Sequence, residues 1–106
     1  MKKIRIKTQF KDDFITRTAG EKLRLEILEA KANNETVELD FTGVIIASTS
    51  FFDESIAKLA ESDWTDQILQ KYVHIKRINP MDLKVLKQVC AYRGLSFGSS
   101  KKLSSN

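Results

Sequence analysis

The amino-acid sequence predicts one α/β domain: a mixed, mostly parallel β-sheet of about four strands, with three helices packed on one face. Three observations predict it. Segments with two-residue alternation recur along the chain, and each is followed by a segment of helical period. Helix start and stop signals fall between them. A chain of 106 residues has room for one hydrophobic core and not for two.

Each element has its own warrant. Lys3–Phe10 alternates, with Ile4, Ile6, Thr8 and Phe10 on one side and Lys3, Arg5, Lys7 and Gln9 on the other, which predicts a strand with one wet face. Thr18-Ala19-Gly20-Glu21 is a Thr-x-x-Glu capping box, opening a helix through Leu23, Leu25, Ile27, Leu28 and Ala30 that Asn33-Asn34 stops. Val37, Leu39 and Phe41 alternate with Glu38, Asp40 and Thr42, and the strand becomes wholly apolar at Val44–Ala47, so it is half covered and then buried. A second helix runs from about Phe51 to Glu61 on Phe52, Ile56, Leu59 and Ala60. Ser62–Lys71 is polar and reads as a loop with one helical turn. Tyr72–Ile78 is the third strand, and Asn79-Pro80 starts a helix striped by Leu83, Leu86, Val89 and Cys90 that Gly94 ends. Leu95–Phe97 reads as a short edge strand. The order β-α-β-α-β-α makes the 37–47 to 72–78 connection a right-handed parallel crossover. The domain is expected over residues 1–98, with a flexible tail at 99–106.

Composition narrows the function classes. The longest apolar run, Val44–Ala47, is far short of the roughly 20 residues a membrane span needs. MKKIRIKTQF has no following apolar block, so no secretory signal is expected, and a single cysteine forms no internal disulfide; a cytoplasmic setting follows as the expectation. Charge is unevenly spread. Residues 1–11 hold five basic residues and no acid, residues 12–70 five basic and thirteen acidic, and residues 71–106 eight basic and one acid, Asp82. The basic ends, Lys2–Lys11 and Lys71–Lys102, keep open a nucleic-acid-associated module as the alternative function.

The segment VELDFTGVIIASTSFFDE, followed later by INPMDLKVLKQVCAYRGL, resembles the STAS superfamily of sulphate transporters and anti-sigma factor antagonists, and more closely its STAS-like family of unassigned function. Asp40-Phe41-Thr42-Gly43-Val44 matches the family's Asp-x-Ser-Gly-Val strand end. Ser48-Thr49-Ser50-Phe51 falls on its Asp-Ser-Ser-Gly helix start, and Asn79-Pro80 with Gly94-Leu95 on its C-terminal pattern. The resemblance covers about residues 36–95. It implies a small regulatory module without chemistry of its own, which docks on a protein partner, a histidine-kinase-type ATPase. It also implies that Ser50 is the phosphoacceptor. Two positions depart from the pattern: Ser48 stands for the acid, and Phe51 for the glycine after the phosphoacceptor.

The residues themselves offer a plainer account of the junction. Ser50-Phe51-Phe52-Asp53 fits a Ser-x-x-Asp capping box with Ser50 as N-cap. Asp53 and Glu54, within one turn, would repel a phosphate on Ser50, so capping is their expected role. The docking surface is expected at Ser48, Thr49, Ser50, Phe51, Asp53 and Glu54, with Lys58 and Glu61 facing outward; Trp64, in a polar segment, either folds back over the end of the second helix or serves as an interface anchor. No enzyme is expected. The one histidine, His74, sits mid-strand, and nothing resembling a nucleophile elbow surrounds Ser50. One His, one Cys and scattered carboxylates lack metal-ligand spacing, and the four glycines stand alone, so neither metal nor cofactor is expected. Cys90 lies on an apolar helical stripe, as a small core residue does.

Overall fold

The computed structural model of the chain describes residues 1–11 and 16–97. In chain order the elements are β1 (Lys2–Arg5), α1 (Ile6–Phe10), α2 (Arg17–Ala32), β2 (Val37–Asp40), α3 (Thr49–Ser55), a 3-10 segment (Ala57–Ser62), α4 (Asp66–Tyr72), β3 (Val73–Lys76) and α5 (Pro80–Tyr92). The predicted α/β class is the one observed. Among the described residues the sheet has three strands in the order β1-β2-β3, both pairs parallel. The helical crossovers that parallel neighbours require are supplied by α2 and by the α3-to-α4 stretch.

The register places Lys2, Val37 and Val73 side by side, and Arg5, Asp40 and Lys76 likewise. Alternation along each strand therefore sorts the sheet into two faces. Ile4, Val37, Leu39 and Val73 are buried on one of them, in a core shared with Leu23 and Ile27 of α2, Phe51 and Phe52 of α3, and Leu86 and Cys90 of α5. The other face is a grid of charge: Lys3, Glu38 and His74 form one row, and Arg5, Asp40 and Lys76 the next.

Several boundaries depart from expectation for identifiable reasons. The first strand ends at Arg5 and not at Phe10, and Ile6–Phe10 is helical. Ile6 and Phe10 are four residues apart, a spacing that fits both the strand period and the helical one; the exposed Thr8 between them reveals the helix. The cap of α2 is Thr16, whose hydroxyl accepts from the Ala19 N–H at 3.1 Å, so Thr18 and Glu21 lie inside the helix. At its other end, Asn34 takes a left-handed φ of 58° after the cap residue Asn33, as the stop signal predicted. The stretch Val44–Ala47 is loop: the chain leaves the sheet at Asp40–Phe41, and Ile45 and Ala47 are exposed.

The expected helix over 51–61 divides. It is α-helical to Ser55 and 3-10 from Ala57, a tighter winding in which residues three apart line up, bringing both Ile56 and Leu59 inside. The polar Ser62–Lys71 stretch contains α4, capped by Thr65, which accepts from the Ile68 N–H at 3.2 Å. That helix runs straight into β3 and takes Tyr72 with it. Leu95–Phe97 is not a strand. The Leu95 N–H returns to the Cys90 carbonyl, and Ser96 is held by the side chains of Asp66 and Gln70. The tail expected at 99–106 lies outside the described residues.

Candidate functional site

The segment between β2 and α3 is built by a relay of short polar contacts. Asp40 Oδ1 accepts from both the backbone N–H and the hydroxyl of Thr42, at 3.0 and 2.6 Å, tying a tight turn to the strand end. Those two bonds, with Arg77 nearby, hold the Asp40 carboxyl below its ordinary range. Gly43 follows with φ 77°, a conformation that suits glycine. The chain then passes over the N-terminus of α5, where Asp82 holds it. Asp82 is fully buried, and its two oxygens accept from the Ile46 and Ala47 N–H groups at 2.7 and 2.9 Å. Asn79, the cap of α5, donates its amide to Asp82 at 2.7 Å and accepts from the Asp82 N–H at 2.9 Å. Ala47 is held at φ 48°, a left-handed value uncommon for a residue with a Cβ.

That clamp fixes where α3 begins. Ser48 is extended, its hydroxyl accepts from the Phe51 N–H at 3.2 Å, and it is the N-cap in place of Ser50. Ser50 lies in the first helical turn, half-buried, and Thr49 is exposed. Asp53 and Glu54 do not cap. Asp53 receives Arg93 at 2.7 and 3.0 Å and Arg17 at 3.3 Å; the Arg93 contact is the main reason its carboxyl sits below the ordinary range. Glu54 is bonded by Arg17 at 2.9 Å and by Arg24 and Lys58 at 3.1 Å each, and Arg24 also donates to its backbone carbonyl. Burial pushes the Glu54 carboxyl up, but the three cations outweigh it and hold it down at about 2. The network clips α3 to α2 and, through Arg93, to the end of α5. It is possible because Gly20 lets the helices touch: a Cβ there would stand 2.8 Å from the Phe51 carbonyl oxygen and 2.9 Å from Glu54 Cβ.

Of the residues expected to dock, Ser48, Thr49 and Ser50 remain together near the surface. Phe51 is fully buried, with its ring edge-on to Phe10 and Phe52. Glu54 is buried, and Asp53 and Lys58 are spent in ion pairs. Glu61 is exposed but paired with Arg93 at 2.8 Å. Trp64 is 6% exposed and packs against Tyr72, so it serves the core and not an interface. A tryptophan flanked by polar residues lies inside because Asp63, at φ 65°, turns the chain back. Ser50 and His74 lie on different elements, His74 on the charged sheet face. Cys90 is buried, and burial is the main cause of its thiol being pushed up to about 12. Among the described residues no group of three or more His, Cys, Asp or Glu side chains could hold a metal ion, and no helix is long and apolar enough to cross a membrane.

Three residues of the site escaped sequence reasoning. Ile45 and Met81 are each 69% exposed, and each directly precedes a partner in the Ile46–Asp82 hydrogen bond, so both stand at the same end of the sheet, where the loop leads into residues 48–50. Ile45 was hidden within an unbroken apolar run, where nothing distinguishes the outward member. Met81 sat in a helix start, where exposure was unmarked. Asp82 had a legible signal, the Asn-x-x-Asp box at a helix start, but that pattern shows a cap and not the loop it grips.

The strand end, the clamped loop and the helix start all lie within a stretch that a family model covers. The sequence model described as a STAS-like domain of unknown function matches residues 19–83, more than half of the chain. The chain belongs to that family of STAS-like domains. No curated protein and no solved structure matches the chain.

Proposed function

We propose that this STAS-like domain is a non-enzymatic module that docks on a protein partner through the exposed end of its sheet, the surface formed by Ile45, Met81 and residues 48–50. Membership in the family points to a regulatory or interaction module. The observation that carries the finer reading is the pair of exposed apolar side chains, Ile45 and Met81, on a backbone held rigid by Asp82. Rigid presentation of an apolar anchor lowers the ordering cost of binding. The partner proposed is a histidine-kinase-type ATPase, with nucleotide belonging to that partner, and Ser50 is the proposed phosphoacceptor. A phosphate on Ser50 adds up to about two negative charges to this surface and so opposes docking. Its supposed repulsion by Asp53 and Glu54 is reduced, since both carboxylates are neutralised by arginines and a lysine.

Affinity capture from the native cell tests this with wild type, Ser50→Asp and Ile45→Asp as baits. The expected result is an ATPase kinase recovered with wild type alone, and a phosphate found on Ser50 after incubation with that kinase and ATP. Recovery of one partner by all three baits, with Ser50 unmodified, would refute the reading. The alternative, a nucleic-acid-associated module, draws on the approach of Lys3, Arg5 and Lys7 to Arg77 in one groove. It predicts duplex or single-strand binding that weakens steeply with salt.

A further inference from the structure

Toward the carboxyl ends of the strands the charged face of the sheet deepens into a groove of about 470 Å³. Its walls are Lys3, Arg5 and Lys7 on one side and Arg77 on the other, with Glu38, Asp40 and Thr42 on the floor. We propose that this groove binds a small phosphate ester bearing hydroxyl groups, a sugar phosphate in chemical class. This inference stands apart from the docking surface: neither Ile45, Met81 nor residues 48–50 lines the groove.

Four observations support it. The first is an imbalance of partners. Asp40 is already committed, one oxygen to Thr42 and the other 3.6 Å from Arg77. Among the described residues Lys3, Arg5 and Lys7 make no ion pair within 4.0 Å, although four cations share the groove with two carboxylates. Arginine offers a planar fork matched to phosphate oxygens, and lysine a mobile point charge beside it.

The second is the placing of Lys7. A Cβ on residue 43 would stand 3.4 Å from both Lys7 Cδ and Nζ, so the lysine lies across the glycine and into the groove. Gly43 thus serves the turn and leaves room for the ammonium. The third is size: about 470 Å³ lies in the roughly 300–1,000 Å³ range of small-molecule sites. The fourth is the mixed chemistry of the lining. Glu38 would repel a bare polyanion but accept hydrogen bonds from hydroxyls, so a ligand with one phosphate end and one polyol end satisfies both halves. No aromatic side chain lines the groove among the described residues, which removes the stacking platform that single-stranded nucleic acid uses.

Titration of the isotope-labelled full chain with ribose 5-phosphate, inorganic phosphate and ribose tests the proposal by amide shifts at low ionic strength, where charge is least screened. Ribose 5-phosphate should give saturable shifts at residues 3–8, 38–43 and 77, with tighter binding than either phosphate or ribose alone. Arg5→Gln with Lys7→Gln should weaken binding by about tenfold or more, the size of one lost charge-assisted contact. Both side chains are exposed, so folding is preserved, and Lys84→Gln on the exposed face of α5 should change nothing. Glu38→Gln should reduce the preference for ribose 5-phosphate over inorganic phosphate. Absence of saturation by about 10 mM ligand, an order of magnitude above a millimolar affinity, overturns the proposal. So does binding that the double variant leaves intact, or a response only to oligonucleotides that strengthens with their length.

Discussion

Two buried carboxylates, Asp82 and Glu54, hold adjoining regions of this molecule by opposite means. Asp82 receives only neutral donors: two backbone N–H groups of the 44–48 loop and the Asn79 amide. Glu54 receives three cations, from α2 and from one turn along its own chain. Neutral N–H groups of fixed direction define a backbone path, so Asp82 sets the shape of the loop and the angle at which Ile45 stands out. Long cationic side chains converge on a charge with less directional demand, so Glu54 fastens helices whose positions Gly20 and the apolar core have already set. The loop end is the surface proposed to meet a partner, and its path rests on Asp82; the helix seam rests on close packing, with Glu54 fastening it.

The comparison can be broken most readily at Asp82. Asp82→Ala leaves three donors unanswered at a buried site and should lower stability by about 3–5 kcal/mol, read from urea unfolding. A loss under about 1 kcal/mol would mean that the loop is held by its apolar residues instead. Gly20→Ala tests whether the seam depends on close approach. Although alanine favours helix, the clash with the Phe51 carbonyl and Glu54 Cβ should make the variant less stable by about 1–3 kcal/mol. An increase in stability would show that the helices have room to part.

Glu54→Gln sharpens the contrast through pH. The folded-state value of about 2 lies below the ordinary 4.5, so the stabilisation from ionised Glu54 is complete above about pH 4.5 and is lost as pH falls toward 2. Wild type should exceed the variant by about 1–2 kcal/mol at pH 7, partly screened because Arg17 is exposed, and the gap should close near pH 2. A gap independent of pH would assign the effect to packing. The smallest effect separates the two serines. Ser48→Ala removes the cap of α3 and should cost about 1 kcal/mol, while Ser50→Ala should stay within about 0.5 kcal/mol. The reverse order would restore Ser50 as the cap.

Much of this molecule was written in local pattern. The alternation of Val37–Asp40 and the stripe of α5 were legible because burial of one face repeats with the period of the backbone. Asn79-Pro80 and Asn33-Asn34 marked boundaries for the same reason: cap and stop chemistry acts within one turn. The Asp40–Gly43 turn was visible as a motif that resembles the STAS pattern, and family membership over residues 19–83 agrees with it.

Tertiary contacts decided the rest. Whether Ser48 or Ser50 capped α3 depended on Asp82, which lies more than thirty residues away in the chain and grips the left-handed Ala47 just before Ser48. Trp64 sat among polar neighbours and Phe51 followed three hydroxyl residues, yet both are interior, because a core is filled by whichever apolar rings the folded path brings within reach. Glu54 could be read locally as a capping acid; only the packing of α2 on α3 delivers Arg17 and Arg24 to it. By itself the sequence determined the class of fold and the alternation of its three strands with the longer helices, which rest on short-range periodicity. It did not determine which side chains the site presents, since exposure is a property of surfaces brought together and not of neighbours in the chain.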